Sequence, residues 1–245
     1  MFLGTAGARH MVARQLLSSG GVVLSAGSTQ IMVDPGPGTI VQAARQRIDL
    51  SRLDAIVLSH RHLDHSGDVN VTIEAMTSGG THTRGLLLCP EDALESDPVV
   101  LRYVRSYLGD IQVLREGGSY SIGEIAVDTP VRHIHPVETY GFNFRTAAGT
   151  VSWITDTRYF AGLADHYPGR LLLINVVLKA AGLPIDHLSL DDVERLLMEA
   201  RPERAVLTHF GMALWQMGTA DIARGIAQTT GVEVVAAVDG MRLSI

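Results

Sequence analysis

The chain has 245 residues, 46% of them hydrophobic and only 5% aromatic, so it can bury a sizeable core filled mainly by Leu, Val, Ile and Ala. Its formal net charge of −6 and pI near 5.9 argue against a dedicated nucleic-acid binder, which needs a basic face. No run approaches the roughly 20 apolar residues of a membrane span, no leader layout opens the chain, and the lone Cys89 excludes an internal disulfide. The expectation is a soluble cytoplasmic protein acting on a small molecule, with no membrane or nucleic-acid partner and a homodimer as the default assembly.

Residues 22–25 and 29–34 read as two strands joined at Ala26-Gly27-Ser28, and Asp34-Pro35-Gly36-Pro37-Gly38 then terminates the second. Residues 40–47 read as helix. The continuous apolar run Ala55-Ile56-Val57-Leu58 reads as a strand covered on both faces. Further strands are expected at 85–89, 111–114, 125–131, 140–146 and 150–155, the last two joined by a hairpin turn at Ala147-Ala148-Gly149. Strand 171–175 is followed by helix 190–200, whose start carries Ser189 as N-cap with Asp191, Asp192 and Glu194 close behind. Strand 205–208, helix 220–230 and strand 232–237 complete the pattern. No linker divides the chain, so residues 1–245 read as one domain.

Two strand ends echo each other: Ala55-Ile-Val-Leu-Ser-His60 and Ala205-Val-Leu-Thr-His209 each lead through a hydroxyl residue to a histidine. Strand ends followed by loops carry the chemistry of α/β folds, so these two are expected to meet across one site.

The run His60-Arg61-His62-Leu63-Asp64-His65 packs three histidines and a carboxylate into six residues directly after a buried strand. Imidazole nitrogen and carboxylate oxygen are zinc ligands. The alternation of His60 and His62 suits one ion, and Asp64 with His65 suits a second. Remaining ligand candidates are His209, Asp156 at a strand end, and one of His133 and His135, which alternate on one extended segment. Asp156 has a competing role as the cap of a helix starting near Tyr159. Two divalent ions are therefore expected, zinc first, with manganese or iron compatible with the same donors.

This pattern resembles the metallo-β-lactamase fold superfamily. The residues that carry the resemblance are His60-x-His62-x-Asp64-His65, a later single histidine, Asp156 and His209. The segments Phe2-Leu3-Gly4-Thr5-Ala6-Gly7 and Val33-Asp34-Pro35-Gly36-Pro37-Gly38 resemble the opening strand and aspartate-glycine turn of its phosphodiesterase branch, which includes ribonuclease Z. The resemblance implies an α/β (α+β) four-layer αββα sandwich: two mixed sheets flanked by helices, with the metals at one edge. It implies His135, which precedes Tyr140-Gly141-Phe142, as the ligand rather than His133. His60, His62 and His135 would hold one metal; Asp64, His65 and His209 the other; Asp156 and a hydroxide would bridge them. His187 resembles that branch's additional histidine, which serves the scissile phosphate or leaving group. The short stretch between His135 and Asp156 leaves no room for the arm of transfer-RNA-processing members.

The expected activity is thus hydrolysis of a small phosphodiester, such as a cyclic one, by the bridging hydroxide, with Asp64 orienting the nucleophile and His187 assisting departure. Rival readings are hydrolysis of a lactone, thioester or β-lactam at the same metals, an iron redox protein, and a metal-stabilised sensor without turnover. Asp34, Ser59 and Thr208 are candidates to fix the imidazole tautomers.

Overall fold

A computed structural model describes residues 1–19, 21–95 and 97–245. Five strands, β1 (Val22–Ala26), β2 (Thr29–Val33), β3 (Ala55–Val57), β4 (Leu86–Cys89) and β5 (Asp110–Val113), form one sheet in that order. The β1–β2 pair is antiparallel and the rest are parallel. The second sheet holds β6 (Gly118–Ile122), β7 (Ile125–Thr129), β8 (Phe142–Thr146), β9 (Gly149–Ile154), β10 (Leu171–Asn175), β11 (Arg204–Thr208) and β12 (Glu233–Ala236), again in chain order. It runs antiparallel from β6 to β9 and parallel from β9 to β12.

Helices α1 (Ala8–Arg14), α2 (Thr39–Arg45), α3 (Leu63–Ser66), α4 (Val69–Met76) and α5 (Arg102–Arg105) belong to the first half. The second half adds α6 (Leu190–Ala200), α7 (Met212–Met217) and α8 (Thr219–Thr230). Both sheets are mixed and sandwiched between helices, as expected. The layering follows from strand alternation. Ile31, Val33, Ala55 and Val57 face inward and meet Phe142, Phe144, Trp153, Leu173 and Val206 of the other sheet. Met32, Ile56 and Leu58 face outward, under Ala43 of α2 and Val69, Ile73 and Met76 of α4. On the far side, Leu172, Ile174, Ala205 and Leu207 pack against α6 and α8. A strand covered on both faces needs apolar residues at every position, and that is why the 55–58 run is unbroken.

Helix α6 begins and ends where its sequence pattern placed it. Ser189 Oγ accepts from the Asp192 N–H at 3.2 Å, and the Asp192 carboxylate accepts from the Ser189 N–H at 2.9 Å, a reciprocal cap worth about 1 kcal/mol. Other boundaries moved. The strand expected at 140–146 starts at Phe142, because the Tyr140 N–H has left the ladder for the Ser59 carbonyl at 3.1 Å. The strand expected to reach 131 stops at Thr129, before Pro130, which has no N–H to give a neighbour. The helix entertained from Tyr159 does not form; a short 3-10 turn, Leu163–His166, stands nearby. Edge strand β6 and helix α4 went unread. The first is small and polar, and the second is rich in β-branched residues that weaken helix propensity.

Candidate metal centre

The ends of β2, β3, β9, β10 and β11 converge at one rim of the sandwich. Two groups of ligand-type side chains gather there. His60, His62 and His135 form the first, and Asp64, His65, Asp156 and His209 the second; within each group the offered atoms lie within 4.8 Å of one another. The loop that follows the first echoing strand end meets the second, although the two strands sit in different sheets: His65 Nε2 lies 2.9 Å from His209 Nε2. Asp156 faces both groups, with Oδ2 3.8 Å from His60 Nε2 and 3.3 Å from His65 Nε2, and Oδ1 3.5 Å from His209 Nδ1.

Hydrogen bonds on the outer side of the rings decide which nitrogens face inward. The Ser59 hydroxyl lies 2.6 Å from Asp34 Oδ2, to which it donates, so its oxygen is left to accept the Nδ1–H of His60 at 2.9 Å. His65 presents Nδ1 to Asp34 Oδ2 at 2.9 Å, and His135 presents Nδ1 to the Asp186 carbonyl at 2.9 Å. Each pairing leaves an Nε2 lone pair aimed into the site. The consequence is a crowd of lone pairs. His60 Nε2 and His135 Nε2 both lie 3.1 Å from His62 Nδ1, and the buried His209 Nδ1 has no hydrogen-bond partner among the described residues. One ring proton on His62 can serve only one of those two Nε2 nitrogens, whereas a cation among the three serves them all. The donors therefore fit divalent metal ions, and their N/O character suits zinc, manganese or iron.

The electrostatics agree. Burial drives His60 well below its ordinary pKa and takes His62 down to about 4, so both are neutral, metal-binding imidazoles at pH 7. Burial also opposes charge on His65, but Asp156, Asp64 and Asp34 together push its pKa well up. A proton and a metal compete for that Nε2, so metal uptake here releases the proton. For Asp64 and Asp156 burial favours the neutral acid, yet the surrounding histidines hold both carboxylates well below their ordinary range.

His133 is turned away from this cluster. Its Nε2 lies 2.6 Å from the Tyr167 hydroxyl and its Nδ1 3.3 Å from the Asp156 carbonyl. Burial lowers its pKa to about 3, below the 6.5 of a free imidazole. The unfolded chain therefore binds a proton that the native chain refuses. This term of stability is intact above pH 6.5 and is lost as pH falls toward 3, by up to about 1.4 kcal/mol per pH unit. Thermal melts of the metal-free protein should show that slope, and His133→Gln should flatten it; an unchanged slope would assign the acid sensitivity to other groups.

Two glycines of the opening segments have a steric purpose. A Cβ on Gly7 would overlap the His209 carbonyl and Nδ1, and one on Gly36 would overlap the Asp64 carbonyl. Asp34 (φ 50°) and His209 (φ 63°) are themselves held in the left-handed region, a strained backbone typical of functional positions. Gly7→Ala should displace His209 and weaken metal binding in the second group by roughly tenfold or more; metal titration followed by elemental analysis would check it.

A family model described as a β-lactamase superfamily domain matches residues 29–210, which include every ligand candidate. The chain belongs to the metallo-β-lactamase superfamily. Among superfamily relatives, an uncharacterised protein of Methanocaldococcus jannaschii is 31% identical over 254 residues, covering 100% of this chain and 94% of its own. The metallo-β-lactamase fold protein YhfI of Bacillus subtilis superposes with a TM-score of 0.78 at 19% identity, covering 98% of this chain and 96% of that one. A diphosphatase from the PhnP family superposes at 0.72 and 19% identity, covering 99% and 95%. Like other members of this superfamily of metallo-hydrolases, the chain carries clustered residues for divalent metals.

His187 reaches the same rim. Its ring centroid lies 5.2 Å from that of His135 and 6.0 Å from that of His209, and its Nδ1 lies 3.7 Å from Asp156 Oδ2. Burial lowers its pKa, with the Asp156 carboxylate opposing. Of the residues expected to fix tautomers, Asp34 and Ser59 touch ligand rings; the Thr208 carbonyl instead accepts the Val176 N–H at 3.0 Å. Sequence reasoning missed two supports. Asn175 holds Asp156 Oδ1 at 2.9 Å and is itself held by Trp153 Nε1 at 2.9 Å. Asp186, immediately before His187, offers its carbonyl to His135 and pairs its carboxylate with Arg158 Nε at 2.6 Å.

Proposed function

We propose that the chain is one binuclear hydrolase domain that cleaves a small phosphodiester, with His60, His62 and His135 holding one metal and Asp64, His65 and His209 the other. Asp156 would contact both, and zinc is the metal we expect. A cytoplasmic location belongs to this reading; Cys89, buried and pushed up to about 12 in pKa, is an inert core thiol. The observation that carries the reading is His187 at the rim, beside His135, His209 and Asp156 but in neither ligand group. When bound, such metals supply Lewis acidity and lower the pKa of water toward neutrality.

The protein's own groups do the rest. Asp64, held ionised by His65 and His209, can orient the attacking water and take its proton. Burial disfavours charge on His187 while a neighbouring anion favours it, so a substrate phosphate would help draw a proton onto its ring. It can then stabilise the phosphate oxygens and give the proton to the leaving oxygen. The diphosphatase similarity favours phosphorus over carbon as the centre attacked.

Elemental analysis of the purified protein, combined with hydrolysis of bis-p-nitrophenyl phosphate, tests the proposal. About two metals per chain with turnover abolished by chelation is the expected result. Full metal occupancy with turnover of lactones or thioesters and none of any phosphodiester would overturn it.

A further inference from the structure

A cavity of about 710 Å³ lies at the end of the sandwich opposite the metal centre. It opens where β9 and β10 begin, whereas the ligand-bearing loops follow the ends of those strands. Its walls include Phe2, Val22, Phe144, Val151, Leu171 and Leu173, all of them members of the buried core between the two sheets. These side chains, each 7% exposed or less, form the apolar floor of the cavity, and the partly buried Leu24, Ala26 and Leu243 flank it. Its volume falls in the range of roughly 300–1,000 Å³ typical of small-molecule sites.

The polar groups at the mouth are unevenly satisfied. Arg47, Arg52 and Arg242 line it and are exposed, and none of the three is in an ion pair among the described residues. The two acidic side chains at the same mouth already have donors. Glu124 accepts from the Ser28 N–H at 2.9 Å, and Asp49 accepts from the Ser51 hydroxyl at 2.6 Å. Such guanidiniums over an apolar floor suit a ligand with an anionic head and a hydrocarbon body.

We propose that this cavity binds a small apolar acid, such as a medium-chain carboxylate, with its chain along the apolar floor and its head at Arg47, Arg52 and Arg242. The site is separate from the metal centre and does not depend on the reaction catalysed there.

Calorimetric titration of the metal-loaded protein with dodecanoate, below its micelle concentration, tests this. We expect saturable binding of one molecule per chain and binding of dodecyltrimethylammonium weaker by about tenfold or more. Leu24→Trp, which fills the mouth, should abolish uptake. The exposed double variant Arg47→Ser/Arg242→Ser should weaken dodecanoate by about tenfold, and both variants should keep their metal. Absence of dodecanoate binding, equal binding of the anion and the cation, or indifference to both variants would overturn the proposal. So would a dimeric chain that takes up no dodecanoate, since a second copy would then cover the mouth.

Discussion

Changing His187 to alanine is expected to lower phosphodiester turnover by about two to three orders of magnitude while leaving bound metal unchanged. The expectation rests on position. His187 lies within reach of the rim formed by His135, His209 and Asp156, yet it belongs to neither ligand group. Removing it deletes a proton donor to the leaving oxygen and a cation for the phosphate oxygens, and takes no donor from the metals. Loss should appear mainly in kcat, because such contacts strengthen as charge develops. Lactone hydrolysis, whose leaving group remains tethered and whose acyl centre carries no phosphate charge, should survive the change. A variant that hydrolyses bis-p-nitrophenyl phosphate at the wild-type rate would remove His187 from the mechanism; equal loss on both substrate classes would make it a structural residue.

Asp156→Ala should have the largest effect of any single change, with bound metal falling toward zero and hydrolysis below detection. Asp156 is 2% exposed and, among the described residues, is the one carboxylate with oxygens toward His60, His65 and His209 at once. Its loss removes negative charge from a site otherwise crowded with imidazoles, and leaves the Asn175 amide without its acceptor. An unpaired buried donor costs about 1–3 kcal/mol, so the metal-free variant should also melt earlier. Asp156→Asn separates the two consequences. An amide keeps an oxygen for Asn175 and most of the packing, but binds a divalent ion poorly. This variant should fold with near wild-type stability in the metal-free state and still lose metal. Elemental analysis beside thermal melting would decide the matter; an Asp156→Asn protein that retained both metals would refute the role assigned to Asp156.

The sequence by itself determined what is written at short range. Three histidines and a carboxylate within six residues announce a metal site wherever the chain goes, because ligand spacing on one loop survives any global arrangement. The unbroken apolar run before His60 announces a strand buried on both faces, and the Ser189–Asp192 pair marks the start of α6, since a cap is made by residues three apart. The resemblance carried the αββα architecture as well. Tertiary structure alone decided what depends on distance in the chain. His133 and His135 alternate on one segment, so spacing left them alike and only the resemblance favoured His135; the fold turns one to Tyr167 and the other to His62. The support of His135 by the Asp186 backbone was invisible because every residue has a carbonyl, and nothing in a side chain advertises which one will be used. Gly7 and Gly36 were legible as glycines but not as the places where His209 and Asp64 press against the chain. Local chemistry is encoded residue by residue, whereas orientation and close approach arise only when distant segments are packed together.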